Sequence, residues 1–190
     1  MKIVISGVAG PAKEVFATRS DRFFKFHIKS RRYSGTYDTI PVVVPEKLVP
    51  REGSIVIAKG TIRSIDRDGH LIVYVFSRDI EPYTDNLDVN ECEGECFLAN
   101  KKPLRTTPSS NRKIVDCILA VNYPRRSAYI PALAWYQCAD QVSHLDLGSE
   151  MTVYGRLQSR EYTKALQDGT FEDKTTYELS ISDIFGKGES

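Results

Sequence analysis

The sequence repeats itself. Gly53-Ser54, Gly60 and Ser64 recur as Gly148-Ser149, Gly155 and Ser159, each 95 positions later. Ile40-Pro41 recurs as Ile130-Pro131, 90 positions later, so order and rough spacing survive a small change in loop length. Common residues agree by chance now and then. Here the pattern Gly-Ser-x5-Gly-x3-Ser lies in strand-like sequence both times, which favours duplication of one unit. The 190 residues then divide into two units of ordinary small-domain size. The stretch IEPYTDNLDVNE holds Pro82, Asp85, Asn86 and Asp88, all strand breakers, and sets the expected domains at 1–84 and 89–190.

The units are β-rich. RFFKFHIK at 22–29 alternates, with Phe24, Phe26 and Ile28 on one side and Phe23, Lys25, His27 and Lys29 on the other. TIPVVV, SIVIAKGTIRSI and HLIVYVF follow, each bounded by Gly, Pro, Asp or Ser. Long helical periodicity is absent, and the segments near 45–52 and 138–146 have room for a turn or two of helix. About 90 residues with five strands and a short helix describe an OB-fold barrel. The expected fold class is all-β, two tandem five-stranded OB-fold barrels. Gly60 and Gly155 sit mid-strand, where a small barrel must bend sharply.

Composition narrows the function classes. Hydrophobic residues at 41% and charged residues at 27% exclude a disordered chain. No apolar run approaches the ~18–20 residues of a membrane helix. MKIVISGVAGPAKE reads as a first strand rather than a secretory signal, so a cytoplasmic, nucleoid-associated protein with reduced thiols is expected. Cys92 and Cys96 form C-x3-C, but no second pair follows and His27, His70 and His144 are isolated, so no metal site is expected. Cys117 and Cys138 lie in apolar surroundings without a neighbouring base, and no phosphate loop, HExxH or serine elbow occurs, so no catalytic residue and no cofactor are assigned. Glu91, Glu93 and Glu95 alternate and read as a solvated strand edge. The net charge is only +1, with 14 Lys+Arg against 11 Asp+Glu in residues 1–90 and 12 against 14 thereafter. Any nucleic-acid site must therefore come from local placement of charge.

Such a placement exists in the second half. Taken as one strand, MTVYGRLQSREY puts Met151, Val153, Gly155 and Leu157 inside and Tyr154, Arg156, Gln158, Arg160 and Tyr162 outside. Along YIPALAWY, Tyr129, Pro131, Leu133 and Trp135 share one face, while Ile130, Ala132, Ala134 and Tyr136 share the other, which suits a barrel interior. NYPRRSAY adds Tyr123, Arg125 and Arg126 in a hairpin loop. Arginines track phosphates and exposed rings stack on bases for ~1–3 kcal/mol each, so this combination suits single-stranded nucleic acid. A packed Trp135, strand-filling tyrosines and a solvated arginine loop are the plainer readings; the shared parity favours function. Tyr177 falls in register with Leu179 and Ile181 and reads as core. In the first half, Phe23 with Lys25, Lys59 with Arg63, and Arg31-Arg32 beside Tyr33 form an accessory binding set or an interface.

Residues 90–184 resemble the bacterial single-stranded DNA-binding protein family. The likeness rests on Gly94; Pro103, Arg105, Thr107 and Pro108; DCILAVN; YIPALAW followed by Ala139-Asp140; and GSEMTVYGRLQSREY. A divergent OB-like domain in front resembles a two-domain variant of that family. The resemblance implies an OB-fold that wraps single-stranded DNA, with stacking at Tyr129, Trp135 and Tyr162 and a phosphate contact at Arg160. It also implies four OB-folds per assembly, hence a homodimer. Tyr136-Gln137 stands where the family usually has Gly-Lys, which removes a groove lysine and implies weaker affinity. Ser109-Ser110-Asn111 replaces a usual glycine, and the chain stops at DIFGKGES without an acidic, aromatic-ended tip for recruiting repair enzymes.

The reading of the sequence is a non-enzymatic, sequence-tolerant single-stranded DNA binder that protects DNA in replication, recombination or repair, with no membrane or small-molecule partner. The other reading is an OB-fold protein–protein module of a replication or mobile-element complex.

Overall fold

The repeated Gly-Ser pairs do the same job twice. Gly53 (φ +81°) and Gly148 (φ +89°) take left-handed turns that suit glycine. Gly53 N–H donates to Ala9 O at 2.8 Å and Ala9 N–H to Ser54 O at 2.9 Å; Gly148 N–H donates to Leu98 O at 2.8 Å and Leu98 N–H to Ser149 O at 3.0 Å. Each turn thus launches a long strand already docked on the first strand of its own unit.

The computed structural model describes residues 1–108, 110–165 and 170–186. Ser109 and the end of DIFGKGES therefore lie outside the described residues. The first repeat comprises β1 (Lys2–Ala9), β2 (Lys13–Ala17), β3 (Arg22–Arg31), β4 (Tyr37–Pro45), a 3-10 turn (Glu46–Leu48), β5 (Ile55–Arg67) and β6 (His70–Pro82). The second comprises β7 (Asn90–Lys101), β8 (Arg105–Thr106), β9 (Lys113–Tyr123), β10 (Arg126–Trp135), α1 (Tyr136–His144), β11 (Glu150–Ala165) and β12 (Phe171–Gly186). Strand order β3-β4-β6-β5-β1 closes on itself through a β3–β1 pair, and β9-β10-β12-β11-β7 closes through β7–β9. Each ring has one parallel contact, β4 with β6 and β10 with β12. Two five-stranded OB-type barrels result. The helical element between the third and fourth ring-forming strands is a single turn in the first repeat and α1 in the second.

The interior follows the alternation. Ile3, Ile5, Phe26, Ile28, Ile40 and Ile62 fill one barrel, and Leu98, Leu119, Ile130, Met151, Leu157 and Leu179 the other, all fully buried. Gly60 and Gly155 mark the same bulge in both repeats: pairing skips Arg78 after Gly60↔Ser77 and Ser182 after Gly155↔Ile181. A Cβ at Gly60 would meet Phe76 O at 2.5 Å, and one at Gly155 would meet Ser180 O at 2.3 Å. Close backbone approach at the bend is therefore what demands glycine.

The barrels are joined by antiparallel pairing of β1 with β7. The equivalent contacts Ile3↔Gly60 and Cys92↔Gly155 make Ile3 and Cys92 counterparts, and these two residues pair with each other. A pseudo-two-fold axis thus passes through the Ile3/Cys92 pair. The final serine of the repeated pattern serves that symmetry. Ser64 Oγ accepts from Tyr129 N–H at 2.9 Å, and Ser159 Oγ accepts from Thr39 N–H at 2.9 Å. Each repeat clasps the other with the same residue.

Three expectations need correction. Phe23 is only 4% exposed, stacked on Phe16 at 4.5 Å between centroids, because β2 folds over it. Tyr136 does not face the barrel interior: it takes a left-handed φ of 50°, opens α1 and is exposed. Glu91, Glu93 and Glu95 alternate outward as expected, but β7 is a central strand paired on both sides, so they do not guard an edge. Tyr177 is half-buried and packs on the core.

Candidate nucleic-acid interface

A groove of about 760 Å³ runs over the outer face of the second barrel. Its floor comes from the end of β10, the middle of β12 and β11, which lie side by side: Leu133 pairs with Ser180, and Ser180 with Arg156. Trp135 is half-buried, its indole N–H donating to Ser180 Oγ at 3.1 Å. One edge of the ring is anchored and the rest lines the groove. Five arginines (Arg32, Arg105, Arg112, Arg156, Arg160) face three carboxylates (Asp116, Glu178, Asp183) along the same walls.

The arginines are held in place. Arg105 pairs with Asp116 at 2.8 Å. Arg160 lies 3.5 Å from Glu178, which is 6% exposed and also accepts from Gln158 at 2.9 Å. Arg156 lies 3.5 Å from Asp38, which contacts Arg32 as well. Burial, then the neighbouring Arg32, push the Arg156 guanidinium below its usual value against the pull of Asp38. Arg112 sits 5.8 Å from the Tyr136 ring centroid.

The structure gathers Trp135, Arg156, Arg160 and, from the accessory set, Arg32. It separates the others. Tyr162 lines a different groove of about 590 Å³ with Arg67, His70, Pro131, Lys174 and Tyr177, where the β5–β6 turn of one repeat meets the β11–β12 arm of the other. Tyr129 is exposed on β10. Tyr154 is exposed and packs edge-on against Phe185 at 5.6 Å. Arg125 is exposed in the β9–β10 turn, and Arg126 donates to Tyr74 of the first repeat at 3.2 Å.

Tyr123 belongs to the junction rather than to a free loop. Its hydroxyl donates to Ile62 O at 2.6 Å, the Arg63 guanidinium stacks 3.4 Å from its ring centroid, and burial pushes the phenol up to about 12. Arg63 is thereby drawn into the same junction. Lys59 is ion-paired with Glu81 at 3.4 Å. Lys25 is partly covered, and Arg31 is exposed with its N–H on Asp88 at 2.6 Å.

Tyr136, Gln137, Gln141, Arg105 and Arg112 also line the main groove. Strand parity could not find them, since they stand on α1, on the two-residue β8 and in the turn before β9. Arg105 carried a signal of another kind, as part of the Pro103–Pro108 segment of the family resemblance.

Among the described residues no cluster could hold a metal ion, and no helix is long and apolar enough to cross a membrane. Cys92 and Cys96 are four apart on one strand, ~13 Å at the usual strand rise, too far for one zinc. Burial pushes the thiols of Cys92, Cys96 and Cys117 up to about 12, and Cys138 is raised for the same reason.

No protein-family model matches the chain, and no curated protein sequence does. Solved structures do. The N-terminal domain of the PriB protein from Thermoanaerobacter tencongensis is 27% identical over 44% of this chain and 97% of its own, with a TM-score of 0.39. The single-stranded DNA binding protein from Thermus aquaticus aligns over all of this chain and 93% of its own, at 17% identity and a TM-score of 0.74. A deletion mutant of the latter protein gives 0.73. From end to end, this chain has the fold of the Thermus aquaticus single-stranded DNA binding protein.

Proposed function

We propose that the protein binds single-stranded DNA with little sequence preference. The observation that carries this is Trp135, anchored on Ser180 with the rest of its ring lining an arginine-lined groove. A base stacks on the ring while guanidiniums take the flanking phosphates. Carboxylate partners offset the mutual repulsion of Arg32, Arg105, Arg156 and Arg160 and hold them in place, and phosphate contacts that release counterions from the DNA make binding salt-sensitive. Tyr162 and Tyr129 give a strand leaving the groove further rings to stack on. The repeats, taken as 1–84 and 89–190, associate in this reading as a homodimer with four barrels that protects DNA during replication, recombination or repair.

The test uses Trp135, the only tryptophan. Its fluorescence is followed during titration with a poly-dT oligomer at low and high salt. Strong quenching that weakens with salt is expected. A blue-shifted emission indifferent to DNA would instead favour the protein–protein module, a reading that the carboxylate partners of four of the five groove arginines also suit.

A further inference from the structure

The polar network of the groove does not stop at the second repeat. Asp38 of β4 is 1% exposed. Its Oδ1 accepts from Ser159 N–H at 2.8 Å and its Oδ2 from Arg32 Nε at 2.8 Å, with Arg156 at 3.5 Å. Arg32 Nη2 also donates to Ser159 O at 3.3 Å. Arg156 continues to Gln158 Oε1 at 3.3 Å, Gln158 to Glu178, and Glu178 to Arg160. Three guanidiniums therefore share two buried carboxylates, leaving one positive charge uncompensated on the wall. Asp38 and Ser159 occupy the Nε and Nη2 of Arg32. Its Nη1 has no partner among the described residues, and Arg32 is part of the groove lining.

A guanidinium fixed through Nε and Nη2, with Nη1 open, is prepared for a second anion, which a phosphate oxygen can supply through a charge-assisted bond to that one nitrogen. We propose that Arg32 of the first repeat binds a DNA phosphate in the second repeat's groove, with Asp38 holding it beside Arg156; this rests on the single-stranded DNA reading above. The first repeat then serves DNA binding through one residue reaching across the junction. The expected accessory face of Phe23, Lys25, Lys59 and Arg63 is not required for this role.

The experiment measures poly-dT binding to the full chain by Trp135 quenching across a salt series, for wild type, Arg32→Gln, Arg32→Lys and Ser6→Ala. Each lost phosphate contact on a single strand reduces the slope of log K against log salt by about 0.7. Arg32→Gln should show that reduction and bind roughly tenfold more weakly at low salt. Arg32→Lys should restore the slope while regaining only part of the affinity, since the charge returns without the fork. Ser6 is buried at the junction, its Oγ accepting from Val89 N–H at 2.7 Å. Ser6→Ala loosens the junction without removing groove charge and should keep the wild-type slope. An unchanged slope in Arg32→Gln overturns the inference and leaves DNA binding intact. An equal drop in Ser6→Ala overturns it too, by tracing the effect to the junction. No binding by wild type overturns both readings.

Discussion

Trp135 is held at one edge by a single side-chain hydrogen bond and is only half-buried. Removing its ring should thus hurt binding more than folding. Trp135→Ala is expected to weaken poly-dT binding by about 1–3 kcal/mol, the usual worth of one base–aromatic stack, with a melting temperature within a few degrees of wild type. Loss of the fold would mean that the ring is core. Gly155, the neighbour of Arg156 on β11, has the opposite character. Its absent Cβ is what lets β12 come close, the Ser180 carbonyl lying 2.3 Å from where that atom would be. Gly155→Ala should cost at least about 1–3 kcal/mol, the range for forced overpacking, read as a lower urea midpoint. Gly60→Ala should do the same in the first barrel.

At the scale of strands, the serine clasps carry a prediction of their own. Ser64→Ala leaves Tyr129 N–H without its acceptor, and Ser159→Ala does so for Thr39 N–H. Ser64→Ala should destabilise by about 0.5–1.5 kcal/mol, the usual net worth of one hydrogen bond, and Ser159→Ala by less, since its bond to Thr39 is exposed to water that can replace it, both measured by urea unfolding. These clasps also show what was legible in the sequence. The spacing Gly-Ser-x5-Gly-x3-Ser announced the duplication, and strand alternation marked Arg156, Arg160 and Trp135, because both signals are local. That the last serine reaches into the other repeat is not legible, since the two partners lie 65 and 120 residues away and are backbone N–H groups that no side-chain pattern marks. Phe23 and Tyr123 were misplaced for the same reason: what covers them comes from β2 and from the first repeat. Arg105, Arg112 and Tyr136 obey no period, standing on a two-residue strand, in a turn and at a helix start.

For the whole molecule, the thiols set an alkaline limit. Cys92, Cys96 and Cys117 rise from 9.0 to about 12 because burial disfavours the thiolate. The folded state holds these protons more tightly than the unfolded one. Their contribution is fully present below pH 9 and is lost as pH rises from 9 toward 12. The Tyr123 phenol, raised from 10.0 to about 12, acts in the same direction above pH 10. The urea midpoint should be lower at pH 10.5 than at pH 8, and Cys117→Ala should reduce that difference. Thiol reagents should label the protein only as fast as it opens. The continuous pairing through β1 and β7 further predicts one cooperative transition rather than two.

The axis through Ile3 and Cys92 makes this chain its own dimer. When two identical chains associate, every inherited change appears on both faces, and neither face can drift alone. Here the covalent link frees them. Opposite Arg160 stands Ile65, and opposite Trp135 stands Pro45, 95 and 90 positions earlier. One half carries the rings and guanidiniums of a groove while its twin carries other side chains at the matching places, an asymmetry that a pair of identical chains cannot hold.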